Sequence, residues 1–242
     1  MDMDSEIERL QEIVDRARRL VFFGGAGVST ESGIPDFRSP DGLYHQKYKF
    51  PPEYMLSHDC FEERTEDFFA FYRDKIISYD AKPNAAHLFL AALERAGRLS
   101  AVVTQNIDGL HQEAGSKNVY ELHGSVHRNY CVNCGKFYTL ADIKGTSGVP
   151  RCSCGGVIKP DVVLYGEGLD DAVVTGAIRA ISNADTLVIA GTSLAVYPAA
   201  GLIRYFKGKN LVVVNLDASA NVQGALHINA KVGELFGRIA IR

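Results

Sequence analysis

The sequence predicts an α/β protein with a doubly wound parallel sheet and a second, smaller domain. Four short apolar runs are typical of strands that are covered on both faces, at residues 20–23, 101–104, 186–190 and 211–214. Helical patterns lie between them, for example at residues 85–96 and 172–180. Because strands that alternate with helices usually pair in parallel, we expect one parallel sheet with helices on both faces.

Two segments interrupt this alternation. Residues 40–82 are rich in aromatic and charged side chains and have a helical pattern, whereas residues 124–160 contain four cysteines and many glycines. Neither segment has the apolar runs of the sheet, so we expect them to pack together as the smaller domain. The predicted domains are then residues 1–39, 83–123 and 161–242 for the large domain, with a helical insertion at 40–82 and a metal-binding module at 124–160.

Length and composition favour a globular protein. The 242 residues suffice for one large domain or for a large and a small one, and 46% apolar with 23% charged residues is close to the average for such proteins. The formal net charge of −3 argues against duplex nucleic acid as a direct ligand.

The N-terminal segment is acidic and begins an amphipathic helix rather than a secretory signal. Its apolar face consists of Ile7, Leu10, Val14 and Ala17. A longer apolar stretch, residues 187–203, is broken by Gly191 and Pro198 and is a poor membrane span. We therefore expect a soluble, cytoplasmic protein without a membrane partner.

The cysteines form two close pairs. Cys131 and Cys134 are separated from Cys152 and Cys154 by 17 residues, a spacing that suits one tetrahedral zinc ion held by four thiolates. With four protein ligands, such a site is structural. The second pair is CxC, which is shorter than the usual CxxC, and unpaired buried or redox-active cysteines are the alternative. Cys60 stands alone and is expected to be a buried thiol.

A glycine-rich turn follows the first apolar run. Gly25 and Gly27 allow backbone N–H groups to approach a pyrophosphate. Thr30 stands where the usual dinucleotide motif has its third glycine, and no strand ending in an acidic residue follows about twenty residues later. A polar and aromatic cluster, residues 35–38, comes instead. We interpret the turn as a site for a dinucleotide used as a substrate rather than as a hydride carrier.

Polar residues also follow the other predicted strands. These residues are Gln105, Asn106, Asp108, Gly191, Thr192, Ser193 and Asn215. Because the carboxyl ends of parallel strands meet at one edge of a sheet, we expect them to converge on one crevice. Taken singly, Asn106 or Asp108 also fits a helix N-cap, and the others fit ordinary turns. His123 fits a buried structural histidine, a metal ligand or a general base.

Together these motifs resemble the sirtuin family, the NAD-dependent protein deacylases, over nearly the whole chain. The matching segments are GAGVSTESGIPDFR (25–38), TQNIDGLH (104–111), ELHG (121–124), the two cysteine pairs, KPDVVLYGE (159–167), GTSLAVYPAA (191–200) and VVVN (212–215).

The resemblance implies a Rossmann-like NAD-binding domain and a small domain with one structural zinc ion. It also implies that NAD is a co-substrate and that acetylated-lysine proteins or peptides are the partners. The acyl oxygen attacks the ribose carbon that carries nicotinamide, and His123 deprotonates a ribose hydroxyl that attacks the acyl carbon. The products are free lysine, nicotinamide and O-acetyl-ADP-ribose, so the enzyme is an acyltransferase to ADP-ribose.

The site residues implied by the resemblance fall into three groups. His123 and Asn106 are catalytic. The cofactor-binding residues are Gly25, Ala26, Gly27, Ser29, Thr30, Asp36, Phe37, Arg38, Gln105, Asn106, Ile107, Asp108, His123, Gly191, Thr192, Ser193, Asn215, Lys231 and Val232. The substrate-binding residues are Val163, Tyr165, Gly166, Glu167, Ala195, Val196 and Tyr197.

Two further reactions use similar machinery. One is mono-ADP-ribosyl transfer to a protein, and the other is removal of longer acyl chains. The retained His123 and an apolar acyl tunnel argue against ADP-ribosyl transfer. Family members that prefer succinyl-lysine have a Tyr-x-x-Arg pair, where this chain has Tyr72 and Lys75. A lysine lacks the bidentate fork of arginine, so we expect deacetylation rather than desuccinylation.

Overall fold

In the computed structural model, the described residues are 3–37, 39, 42–45, 48–77, 80–216 and 222–242. The strands of these residues are β1 Leu20–Gly24, β2 Leu99–Thr104, β3 Val119–Glu121, β4 Gly124–Cys131, β5 Phe137–Thr139, β6 Ile158–Val162, β7 Thr186–Ala190, β8 Asn210–Asn215 and β9 Leu226–Asn229.

The α-helices are α1 Met3–Arg16, α2 Pro52–Met55, α3 His58–Glu63, α4 Thr65–Phe71, α5 Ala85–Arg95, α6 Leu110–Glu113, α7 Leu140–Lys144, α8 Asp171–Asn183 and α9 Val232–Phe236. A π-helical turn, Tyr72–Ile76, follows α4. The 3₁₀ segments are Ala26–Val28, Thr30–Ser32, Leu43–His45 and Ala199–Tyr205.

Six strands form one parallel sheet in the order β3-β2-β1-β7-β8-β9. The chain builds the sheet outwards from β1 in one direction and then returns to β7 on its other side. This reversal of direction between β1 and β7 is a topological switch point, where open α/β sheets form their ligand crevice. The predicted doubly wound sheet is therefore confirmed.

Both faces of the sheet are covered. Every residue of β1 is buried, and its side chains alternate between two cores: Phe22 packs with residues of α1, α5 and α9, and Phe23 packs with residues of α8 and the 199–205 segment. The predicted N-terminal amphipathic helix is α1, which buries Leu10 and Val14. No helix of the described residues has both the length and the apolar character needed to cross a bilayer.

The four predicted strands are all present, and two edge strands were missed. β3 has only three residues, and β9 alternates between buried and exposed positions. Neither has the continuous apolar run that identifies a strand buried on both faces, because an edge strand has fewer neighbours to cover it.

The two interrupting segments share one core. β4 lies between β5 and β6 in a small antiparallel sheet. The aromatic side chains of the helical segment, among them Phe61, Phe68 and Tyr72, pack against Val126 of β4 and Val162 of β6. This core joins the helical segment to the small sheet, whose strand β6 continues two residues beyond the predicted boundary at residue 160.

Candidate active site

A cavity of about 770 Å³ lies at the carboxyl ends of the parallel strands and continues under the smaller domain. Residues at the ends of four strands line it together: Gly25, Gln105 and Gly191, which follow β1, β2 and β7, and Asn215, the last residue of β8. The predicted convergence of the strand ends is therefore confirmed. The sheet order explains it, because β2, β1, β7 and β8 are consecutive neighbours.

The glycines at the switch point let two loops pack directly on each other. Gly27 N donates to Gly191 O over 2.8 Å, and Gly25 N donates to Ala190 O over 3.2 Å. A Cβ on Gly27 would lie 2.8 Å from Gly191 Cα, and a Cβ on Gly191 would lie 2.5 Å from Val28 N. Gly191 also has a φ of +59°, which favours glycine. These glycines are required by the contact between the loops, in addition to any role towards a pyrophosphate.

Ser29 is the centre of a polar network that joins the glycine loop to the end of β2. Its side chain is almost fully buried. Ser29 Oγ donates to Asp108 Oδ2 over 2.7 Å and accepts from Asn106 Nδ2 over 3.1 Å. A single hydroxyl therefore fixes a carboxylate and an amide that both line the cavity.

Asp108 has a second function. Its Oδ1 accepts from Leu110 N over 2.9 Å, at the first residue of α6. The N-cap of α6 is Gly109, so neither Asn106 nor Asp108 is the N-cap, although the Asp108 carboxylate still accepts from the first N–H group of the helix. Ile107 lines the same part of the cavity.

His123 lies after β3 and lines the cavity. Its Nδ1 is 3.0 Å from Gln105 O. Since a carbonyl oxygen can only accept, Nδ1 carries the proton and Nε2 has the free lone pair. Burial lowers the pKa of His123 from its usual 6.5, and the hydrogen bond to Gln105 opposes this only in part. The ring is therefore neutral near pH 7, as a general base must be.

A second polar network links β2, β7 and β8. Gln105 Nε2 donates to Thr192 Oγ1 over 3.0 Å, and Asn215 Nδ2 donates to Thr192 O over 2.7 Å. Ser193 also lines the cavity, as do Ala26 and Thr30 on the glycine loop.

The segment after the glycine loop folds back over the cavity. Asp36 Oδ1 accepts from Ser39 N over 2.8 Å, and the ring of Phe37 packs edge-on against Tyr44 at 5.7 Å between ring centres. Asp36 and Phe37 line the cavity. Arg38, also predicted here, lies outside the described residues.

The predicted substrate segments border the same cavity, with one exception. Val163, Gly166, Val196 and Tyr197 line it, together with Tyr165 and Glu167, whereas Ala195 does not. Val163 N donates to His123 O over 3.0 Å. This bond couples the start of one predicted substrate segment directly to the histidine.

Glu167 ties this segment to the smaller domain. Its carboxylate accepts from His58 and Lys159, each over 3.1 Å, and from Leu164 N over 2.9 Å. Lys231 and Val232 also line the cavity. They lie at the start of α9, which follows the edge strand β9.

Some residues of the site were missed in the sequence. His127 Nε2 is 2.9 Å from Asp108 O, and a Cβ on Gly109 would lie 2.6 Å from the His127 ring. Tyr44 forms a hydroxyl–hydroxyl bond with Tyr165. Neither belongs to a strand end or a spaced motif, so the pattern of polar strand ends gave no signal for them.

The four clustered cysteines form a compact set of sulfurs. Their Sγ atoms all lie within 4.8 Å of one another, with separations of 3.4 Å for Cys131–Cys154, 3.6 Å for Cys134–Cys152 and 3.5 Å for Cys134–Cys154. Zinc–sulfur bonds of about 2.3 Å in a tetrahedron place the sulfurs about 3.8 Å apart. The donor set therefore fits a tetrahedral thiolate-bound metal, and the CxC spacing does not prevent that geometry.

Both the sequence and the fold are similar to those of known proteins. Residues 25–198 match the family model described as the Sir2 family. An NAD-dependent protein deacetylase of Clostridium acetobutylicum is 59% identical over 235 residues, which cover 95% of this chain and 96% of that protein.

Two solved structures are similar along nearly their whole length. One is a Sir2 with a deacetylated p53 peptide and 3′-O-acetyl ADP-ribose, with 42% identity, a TM-score of 0.86 and 95% of each chain covered. The other is a Sir2 with a p53 peptide and NAD⁺, with 42% identity, a TM-score of 0.84 and 98% of this chain and 97% of that chain covered. The chain therefore belongs to the Sir2 family.

Proposed function

We propose that the protein is an NAD-dependent protein lysine deacetylase, which yields free lysine, nicotinamide and O-acetyl-ADP-ribose. One observation carries the proposal. A single cavity combines a glycine loop, the Ser29–Asn106–Asp108 network and His123, whose Nδ1 is committed to a carbonyl. The name of the Clostridium relative and the ligands of the two solved structures support it.

The loops of the cavity suit a dinucleotide. Gly25 and Gly27, with Ala26 and Thr30, hold the phosphates at the switch point, and Thr192 and Ser193 face them from β7. Gln105 and Asn215 bind ribose hydroxyls at the two ends. When bound, NAD supplies a glycosidic carbon with a good leaving group and the ribose hydroxyls.

The Ser29–Asn106–Asp108 network holds the nicotinamide end. Ser29 fixes the amide of Asn106 and the carboxylate of Asp108, while Ile107 and Phe37 provide apolar walls that exclude water. Asp36 and Arg38 belong to the same loop. His123 Nε2 accepts a proton from a ribose hydroxyl, and its Nδ1–H remains on Gln105 O, which keeps the ring in one orientation.

The peptide binds as an added strand between two segments, Gly166 with Glu167 and residues 195–197, through backbone hydrogen bonds that demand little sequence. Val163 and Tyr165 form the wall of the lysine tunnel. Lys75 lines the cavity, but its ammonium is 3.1 Å from Asp74 Oδ2. Because a lysine ammonium lacks the bidentate fork of arginine and the tunnel wall is apolar, the tunnel favours a neutral acetyl group over a succinyl group.

Cys131, Cys134, Cys152 and Cys154 hold one structural zinc ion. The support is the mutual spacing of their sulfurs and the four-thiolate donor set. Cysteines kept for a metal in this way are typical of a reducing compartment, which supports a cytoplasmic location. The division that we propose is residues 1–39, 83–123 and 161–242 for NAD binding and residues 40–82 and 124–160 for the smaller domain, except that β6 carries the small sheet on to Val162.

The function is tested by incubating the protein with NAD and one of two peptides, identical except that the lysine is acetylated in one and unmodified in the other. Nicotinamide release is followed by chromatography. We expect release only with the acetylated peptide. Release at the same rate with either peptide, or transfer of ADP-ribose to protein, would instead indicate NAD hydrolysis or mono-ADP-ribosyl transfer.

A further inference from the structure

Glu31 connects the glycine loop to the last helix of the chain. It lies in the 3₁₀ turn Thr30–Ser32, directly after Thr30. Its Oε2 accepts from Gly233 N over 2.5 Å and its Oε1 accepts from Glu234 N over 3.0 Å, although the sequence separation exceeds 200 residues. One carboxylate therefore satisfies two N–H groups of the first turn of α9.

The carboxylate of Glu31 caps the N-terminus of α9. The N-cap residue of α9, Lys231, forms no side-chain capping bond of its own, so Glu31 supplies the cap from a distant part of the chain. A Cβ on Gly233 would lie 2.8 Å from Glu31 Oε2, so a side chain there would displace the carboxylate.

The start of α9 is part of the cavity. Ala230, Lys231 and Val232 line it, and Val232 is buried in the core. In the sheet, β9 is at the opposite edge from β3, after which His123 follows. With the phosphates on the central glycine loop and the nicotinamide on the His123 side, the adenosine half of the dinucleotide has to occupy the β8–β9 side, where α9 begins.

We propose that Glu31 is a positioning residue that fixes the start of α9 relative to the phosphate-binding loop and thereby shapes the adenosine end of the NAD site. This inference rests on the proposed function. Glu31 does not line the cavity, so it acts through Lys231 and Val232 and not by contact with the dinucleotide.

The test compares Glu31→Ala, Glu31→Gln and a control, Glu12→Ala, which removes an exposed glutamate of α1. Binding of ADP-ribose is measured by calorimetry, and steady-state kinetics give KM for NAD, KM for the acetylated peptide and kcat. For Glu31→Ala we expect Kd for ADP-ribose and KM for NAD to rise together, roughly three- to tenfold, because part of the binding free energy is then used to order the start of α9. Peptide KM and kcat should stay within about twofold.

Glu31→Gln keeps the length and one acceptor oxygen, so it should recover part of the loss. ADP-ribose lacks nicotinamide. An equal rise in Kd for ADP-ribose and in KM for NAD would therefore show that the substitution weakens binding of the part of NAD other than nicotinamide. Unchanged ADP-ribose binding in folded Glu31→Ala, or an equal loss in peptide KM and kcat, would overturn the inference. If the unsubstituted protein itself fails to bind ADP-ribose, the proposed function fails as well.

Discussion

His123 Nδ1 lies 3.0 Å from the main-chain oxygen of Gln105, the first residue after β2. The backbone of a strand end, which no side-chain substitution alters directly, thus decides which ring nitrogen is basic. The same peptide segment continues into Asn106 and Asp108, so one loop holds both the His123 ring and the Ser29–Asn106–Asp108 network.

Substituting His123 tests the proposal that it is the base. His123→Ala removes the proton acceptor, and we expect kcat for deacetylation to fall by about 10²–10⁴-fold with little change in fold. His227→Ala is the control, because His227 is an exposed residue of β9. Chromatography of the deacetylated peptide measures the effect. Near-normal activity of a folded His123→Ala would exclude His123 as the base.

The pH dependence of deacetylation on the acid side should follow the protonation of His123. Burial lowers the pKa of His123, so the neutral, basic ring persists below pH 6.5. Activity should therefore be lost only as the pH falls through a midpoint below 6.5. The measurement is kcat/KM for the acetylated peptide between pH 5 and pH 9. A midpoint above 7 would contradict the neutral ring.

Ser29→Ala tests the polar network. The substitution leaves Asn106 Nδ2 and Asp108 Oδ2 without their hydroxyl partner in a buried position. We expect nicotinamide release to slow by roughly ten- to a hundredfold, the size of a lost hydrogen bond to a charged group. Ser100→Ala, at an exposed position of β2, is the matched control. Equal rates for the two variants would show that the network does not support the reaction.

Metal removal tests the cysteine cluster. Elemental analysis should give about one zinc ion per chain, and Cys131→Ser should lose it and lower Tm by at least about 5 °C. Ser153→Ala, between Cys152 and Cys154, should keep the metal. Metal-free protein with an unchanged Tm would contradict a structural zinc site.

Two buried histidines predict that stability depends on pH. The His87 and His111 rings lie 4.7 Å apart, and burial, with a smaller effect of His87, lowers the pKa of His111 from 6.5 to about 3. Between these values the unfolded chain binds a proton that the native state excludes, so the unfolding free energy falls as the pH falls from 6.5 towards 3. For His111 the loss is about 2 kcal/mol at pH 5.

Urea unfolding at pH 7 and pH 5 measures this loss. His111→Gln should reduce the difference between the two pH values, whereas His227→Gln, at an exposed histidine, should preserve it. The same pH difference in all three proteins would show that the buried pair does not control the acid sensitivity.

The sequence predicted the parts of the site that lie on local patterns. These parts are Gly25 and Gly27, the polar residues at the ends of β2, β7 and β8, and the cysteine pairs, each of which is next to an apolar run or at a fixed spacing. The alternation of strands and helices predicts a parallel sheet, and the observed strand order brings these residues together.

Contacts between side chains that are far apart in the sequence could not be predicted from local patterns. Arg128 of β4 donates to Glu121 over 2.6 Å and to Asp161 over 2.7 Å, which joins the small sheet to the end of β3 beside His123. Glu31 reaches α9, and His127 supports Asp108 O. Each side chain alone is typical of a solvated surface, and only the tertiary structure shows its partner.

The central claim is that breaking the nicotinamide bond is coupled to acyl transfer from lysine. The most direct measurement is mass spectrometry of all products of one reaction with NAD and acetylated peptide. We predict nicotinamide, deacetylated peptide and O-acetyl-ADP-ribose in equal amounts, and none of the three with His123→Ala above a small fraction of that yield. Nicotinamide in large excess over deacetylated peptide, or free acetate without O-acetyl-ADP-ribose from the first turnover, would contradict the claim.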